Sequence, residues 1–201
     1  MTTIITGIIL GISIAAPVGP IGILCIRKTL TQGKAFGFVS GMGAATADAI
    51  YGSIAALGLT IISNFLIEQS TWINVAGATF LLYLAYSTFK APVKDSVGID
   101  RGKMDYFKTF GTTLLLTLMN PLTIISFVGI FAGMNLGSAS QSPVQLVLGV
   151  FIGSAIWWLL LSTIVGSLKQ MISFRMMKFI NIISSLIILG FGILNIYKAM
   201  I

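Results

Sequence analysis

The sequence predicts an all-α integral membrane protein of six transmembrane helices, arranged as two inverted three-helix repeats with helices 1 and 4 broken at proline. Three observations carry this. With 56% hydrophobic residues, 8% charged and a mean hydropathy of +1.01, 201 residues hold more apolar surface than one soluble core can cover. Six apolar stretches recur along the chain, at 4–30, 36–62, 72–89, 106–134, 144–166 and 177–198, each near or above the ~20 residues that cross a bilayer. Two of them are interrupted near their middles, at Ala16-Pro17-Val18-Gly19-Pro20 and at Asn120-Pro121.

In the first stretch, Pro17 and Pro20 both fit the first turn of a half-helix running toward Arg27, where amides lack internal partners anyway. The first twenty residues carry no Lys or Arg, so a cleavable signal peptide is not expected and this span is retained. The second stretch holds Asp48, the one acid in a span interior. It lies roughly 18 Å into the span at the helical rise, near the bilayer centre. Ala44, Asp48, Gly52 and Ala56 recur every four residues, so the acid projects from a face of small side chains that borders another helix or a cavity. The third stretch opens with Trp72, an interfacial anchor, and presents Tyr83 and Tyr86 on one side.

After a polar linker at 91–105, the fourth stretch breaks at Asn120, a preferred N-cap, followed by Pro121, which suits a first helical position. The fifth holds Trp157 and Trp158 in mid-span, and one of them is a candidate cavity wall, with Trp157 taken for that role. The sixth is plain apolar helix ending near Lys198.

The halves overlay. Gly7 and Pro17 match Gly111 and Pro121 at an offset of 104 residues, and Gly41, Gly58 and Lys90 match Gly149, Gly166 and Lys198 at 108. Residues 1–90 and 106–201 therefore form two repeats, and an odd number of spans in each inverts the second relative to the first. The cations sort the loops. Arg27, Lys28 and Lys34, then Lys90, Lys94, Arg101, Lys103 and Lys108, then Lys169, Arg175 and Lys178 fall at the odd connections, which puts both termini outside the cytoplasm.

Paired breaks in corresponding helices point to a transporter's central binding site. Half-helix N-termini would favour a carboxylate, and carbonyls freed around Ser13–Ala16 and Thr117–Asn120 could accept from an ammonium. Asp48 must be paired, hydrated or protonated there. Two readings stay open for it: proton carrier or ammonium partner in transport, or half of a buried ion pair with Arg27. Its counterpart, position 156, is isoleucine, so any proton site is single. Other classes find little support. The basic residues lie in loops rather than on an aromatic-interleaved face, which argues against nucleic acid. One cysteine and no histidine exclude an internal disulfide, a thiol pair and a Ser-His or His-metal site. Gly41-Met42-Gly43 follows no strand and reads as close helix packing, and no cofactor motif stands out.

The stretch from Pro17 to Leu59, with Pro17-Val18-Gly19-Pro20, Arg27, Gly33, Gly37, Gly41, Asp48 and Gly58-Leu59, resembles the N-terminal signature of the lysine exporter superfamily in its RhtB-like branch. Asn120-Pro121 is similar to the element that opens the second half of such proteins. The resemblance implies proton-driven efflux of amino acids across a bacterial inner membrane, with protons, lipids and a second copy of the chain as partners; no cofactor is expected. Pro17, Gly19, Pro20, Asp48, Asn120, Pro121 and Trp157 are then the candidate substrate site, with Asp48 as proton carrier. A divalent-metal or cadmium exporter of the same superfamily and a non-transport membrane scaffold are the alternatives.

Overall fold

The computed structural model describes residues 3–17, 19–56, 68–90, 105–120, 123–124, 126–127, 142–168 and 174–200. The expected linker falls mostly outside these, as do Val18 and Pro121. Among the described residues there are seven helices and no strand: α1 Thr3–Ala15, α2 Pro20–Gln32, α3 Lys34–Ala56, α4 Ser70–Lys90, α5 Tyr106–Leu118, α6 Pro143–Leu168 and α7 Phe174–Met200.

The first apolar stretch is two helices, α1 and α2, bent by 82° to one another. Pro20 opens α2 at its first turn after an extended Gly19 (φ −108°, ψ −165°). Pro17 sits three residues ahead of α2 rather than inside its first turn, which corrects the expectation from sequence: the extended Gly19 delays the helix start to the second proline. At the far end of α2, Gly33 takes φ +107°, a conformation open to glycine, and its N–H bonds the Thr29 carbonyl at 3.0 Å. Lys34 opens α3 at once, so the expected loop between the first two stretches is a single glycine hinge.

On the other side of the molecule, α5 starts at Asp105, whose side chain accepts from the Lys108 amide at 3.0 Å. It stops at Leu118. The Asn120 carbonyl then accepts from the amides of Thr123 and Ile124, at 3.0 and 3.2 Å, so helical bonding resumes at Asn120. The chain breaks here as the Asn-Pro pair leads one to expect.

Four packings organise the bundle: α1 on α6, α3 on α5, α3 on α6 and α4 on α7. Small residues set the closest of them. Gly7 of α1 meets Gly149 of α6 with backbone against backbone, and one turn further along α1 Gly11 meets the Val150 carbonyl of α6. A β-carbon at Gly153 would strike the Ile8 carbonyl, and one at Gly43 of α3 would strike the Phe110 carbonyl of α5. Outward faces are apolar instead of polar: Leu160 and Ile164 of α6, Leu186 and Ile193 of α7 and Trp72 and Phe89 of α4 are all exposed. An apolar coat of this extent around a buried polar interior is the inverse of a soluble protein's surface.

Candidate functional site

A cavity of about 100 Å³ lies where the two chain breaks meet α3 and α6. One water needs roughly 10–15 Å³, so there is room for several or for a small solute. Ala15, Pro17, Gly19 and Gly22 line it from the first break, Thr117, Asn120, Thr123 and Ser126 from the second, Ala44 and Asp48 from α3 and Trp158 from α6. The structure thus brings Pro17, Gly19, Asp48 and Asn120 to one cavity. Pro20 is buried beside it at the head of α2 without lining it, and Pro121 lies outside the described residues.

Of the tryptophan pair, Trp158 rather than Trp157 reaches the cavity, and Trp157 packs against the neighbouring apolar cluster. Adjacent residues on a helix point about 100° apart, so only one of the two can face α3. Gly41 decides which: a β-carbon there would run into the Cβ and Cγ of Trp158, so the glycine makes the seat for that side chain.

Asp48 is 3% exposed. Its Oδ2 accepts from Ser154 Oγ at 2.7 Å, and Ser154 Oγ accepts in turn from Trp158 Nε1 at 3.1 Å. Arg27 is directed elsewhere, its Nε donating to Asn181 Oδ1 of α7 at 3.2 Å. The hydroxyl of Ser154 and not a guanidinium is the partner the structure gives the acid.

The carbonyls of the second break are less available than the sequence suggests. Thr117 accepts from the Asn120 amide at 3.2 Å, the Leu118 carbonyl accepts from the Tyr51 hydroxyl, and Asn120 accepts from two amides. Backbone groups with no water to bond must be satisfied internally. The polar character of the cavity therefore comes chiefly from side chains: the carboxyl of Asp48, the hydroxyls of Thr117, Thr123 and Ser126, and the Asn120 amide.

Behind Thr117 runs a buried hydroxyl file. Thr117 donates to the Thr113 carbonyl at 2.8 Å, Thr113 shares a hydrogen bond with Ser40 of α3 at 2.7 Å, and Cys25 of α2 donates to Ser40 at 3.5 Å. Sequence reasoning missed Ser154, Ser126 and the Thr123 hydroxyl, and named Thr117 only for its backbone carbonyl.

A model for LysE type translocators matches residues 12–199. The chain belongs to the LysE family. LysE-family proteins are integral membrane translocators of small molecules, and transporters rather than enzymes. The chain is similar to "Putative amino acid efflux protein YcgF" of Bacillus subtilis (strain 168), at 29% identity over 200 residues covering 96% of this chain and 94% of that one. It is also similar to two uncharacterized membrane proteins: YrhP of Bacillus subtilis, 28% identical over 85% of this chain and 87% of that one, and YahN of Escherichia coli (strain K12), 24% identical over 68% and 63%. No solved structure matches this LysE-family chain.

Proposed function

We propose that this LysE-family protein exports amino acids across a bacterial inner membrane in exchange for protons, by alternating access around the cavity between its two broken helices. The observation that carries the reading is the meeting of both breaks at one cavity that also holds the buried Asp48. The efflux role printed for YcgF, which aligns over nearly the whole chain, supports amino acids as the solute. An amino acid always brings an ammonium, and Asp48 is the acid that lines the cavity.

In this reading the chain is two inverted repeats, 1–90 and 106–201, joined by a cytoplasmic linker at 91–105, with six spans and both termini outside the cytoplasm. The packing supports the symmetry. A two-fold axis that exchanges α1 with α5 and α3 with α6 carries the α1–α6 packing onto α3–α5, and carries α3–α6 and α4–α7 onto themselves. All four packings occur. Such an axis brings the breaks to the midplane from opposite sides, the arrangement that lets one repeat rock against the other around a fixed site.

Asp48 alternates between a proton and the substrate ammonium, since one carboxylate in an apolar setting holds one positive partner at a time. Pro17, Gly19, Pro20, Asn120 and Pro121 shape the ends of the half-helices around the substrate, and Trp158 takes the wall role expected of Trp157. The family's metal-exporting branch fits less well: one cysteine, no histidine and a single acid at the cavity give few donors for a divalent ion.

Purified protein in liposomes with an imposed pH gradient tests the proposal. Labelled amino acid should move against its own gradient when the proton gradient is present, and stop when an ionophore collapses it. Movement indifferent to the ionophore would remove the antiport step, and movement of no amino acid would remove the substrate class.

A further inference from the structure

Ser154 stands behind the cavity wall and ties together two side chains that form it. It is completely buried and does not itself line the cavity, whereas both of its partners, Asp48 and Trp158, do. The proton arithmetic fixes the direction of the link. An indole N–H only donates, and a serine hydroxyl has one proton and two lone pairs. With Trp158 Nε1 donating to Ser154 Oγ, the single Ser154 proton goes to Asp48 Oδ2.

Most hydroxyls in such spans turn back on their own helix. Thr46, Ser53 and Ser167 do so here, donating to Met42, Ala49 and Thr163 at 2.8, 2.7 and 2.9 Å. Ser154 instead reaches across from α6 to α3. Its indole partner cannot retreat toward α3, because Gly41 already meets it with no room for a β-carbon. The side of Trp158 toward Gly41 is thus closed, while the residue also forms part of the cavity wall.

We propose that Ser154 is a positioning residue that couples occupancy of the cavity, felt by Trp158, to the charge on Asp48. A solute that shifts the indole disturbs the hydroxyl that stabilises the carboxylate. A proton on Asp48 removes the best acceptor for that hydroxyl and loosens the indole. The inference rests on the reading that Asp48 carries the coupling proton. Around Asp48, α1 and α6 carry no titratable side chain, α3 adds Lys34 and Tyr51, α2 adds Cys25, Arg27 and Lys28, and α5 adds Tyr106 and Lys108.

The experiment pairs Ser154→Ala with Ser154→Cys, which keeps the size of the side chain but is a weak donor. Both should move the pH of half-maximal efflux upward by about one unit, roughly tenfold in proton concentration, because a hydrogen bond to the charged carboxylate is lost. Trp158→Phe should move it the same way by less. In a Trp72→Phe, Trp157→Phe background, Trp158 emission from the purified protein should titrate with the same midpoint as efflux, and adding Ser154→Ala should flatten that titration. A shift in the alanine variant but not in the cysteine variant would make Ser154 a packing residue and overturn the coupling. So would an unchanged pH profile in both. If instead Asp48→Asn keeps full pH coupling, the reading of Asp48 falls first.

Discussion

The hydroxyl of Tyr51 on α3 donates to the carbonyl of Leu118, the last residue of α5. A helix end leaves its final carbonyls without internal partners, and a membrane interior supplies no water to take them. The helix end that leads into the second break is thereby held by a side chain one turn beyond Asp48, so the acid and the break share one stretch of α3.

Tyr51→Phe should lower stability by about 1–3 kcal/mol, since it leaves a buried acceptor without its donor. Thermal unfolding in detergent measures this. Because the Tyr51 ring also packs against Phe127, tilted by 35° with ring centroids 5.6 Å apart, phenylalanine keeps the ring contact and isolates the hydroxyl. An unchanged melting temperature would mean that the Leu118 carbonyl finds another partner at no cost.

The crossing of α1 and α6 is set by glycines, and a side chain there has no flexible neighbour to push aside. At Gly153 the first atoms met are the Ile8 carbonyl group and Cα. Gly153→Leu should therefore separate the two helices and cost at least about 1–3 kcal/mol, the usual range for overpacking a close contact. Expression level and the melting temperature of the purified variant read it. Gly19→Ala is the control, because a β-carbon at Gly19 meets nothing within 4 Å and its φ is negative.

What could be read from the sequence was whatever violates the chemistry of lipid. Prolines and a carboxylate in apolar runs are costly, so Pro17, Asn120 and Asp48 pointed to the cavity without any knowledge of the fold. Ser154 gave no such signal. A lone serine in an apolar span normally bonds its own helix, and only the register between α3 and α6 shows that this one does not. Trp157 and Trp158 were indistinguishable for the same reason, since the choice depends on which face Gly41 opposes. The one-turn spacing of Gly7 with Gly11 and of Gly149 with Gly153 is visible in the chain, but that Gly7 meets Gly149 and that the other two meet backbone of the facing helix is a tertiary fact.

Asn120→Leu separates the backbone role of the second break from its side-chain role. The bonds that restart the helix come from the Asn120 carbonyl, which leucine retains. The variant should fold, while losing a polar side chain from the cavity wall. Substrate affinity is expected to fall by roughly tenfold, the worth of one or two hydrogen bonds. Concentration dependence of counterflow in liposomes checks it. Unchanged half-saturation would reduce the Asn-Pro break to a kink.

Asp48→Asn distinguishes a carboxylate that moves protons from one that joins two helices. The amide is the same size, and its oxygen can go on accepting from Ser154 across the α3–α6 contact, so packing and assembly should survive. What it cannot do is take up and release a proton or neutralise an ammonium. If Asp48 carries the coupling, the variant should lose uphill efflux driven by a pH gradient yet retain some passive exchange of labelled for unlabelled amino acid. If the acid serves only to hold α6 against α3, that link persists in the amide and transport should continue with its pH dependence intact. Counterflow and gradient-driven uptake measured on the same liposomes give both numbers from one preparation. Full, pH-coupled activity in Asp48→Asn would refute the assignment of the proton to this residue.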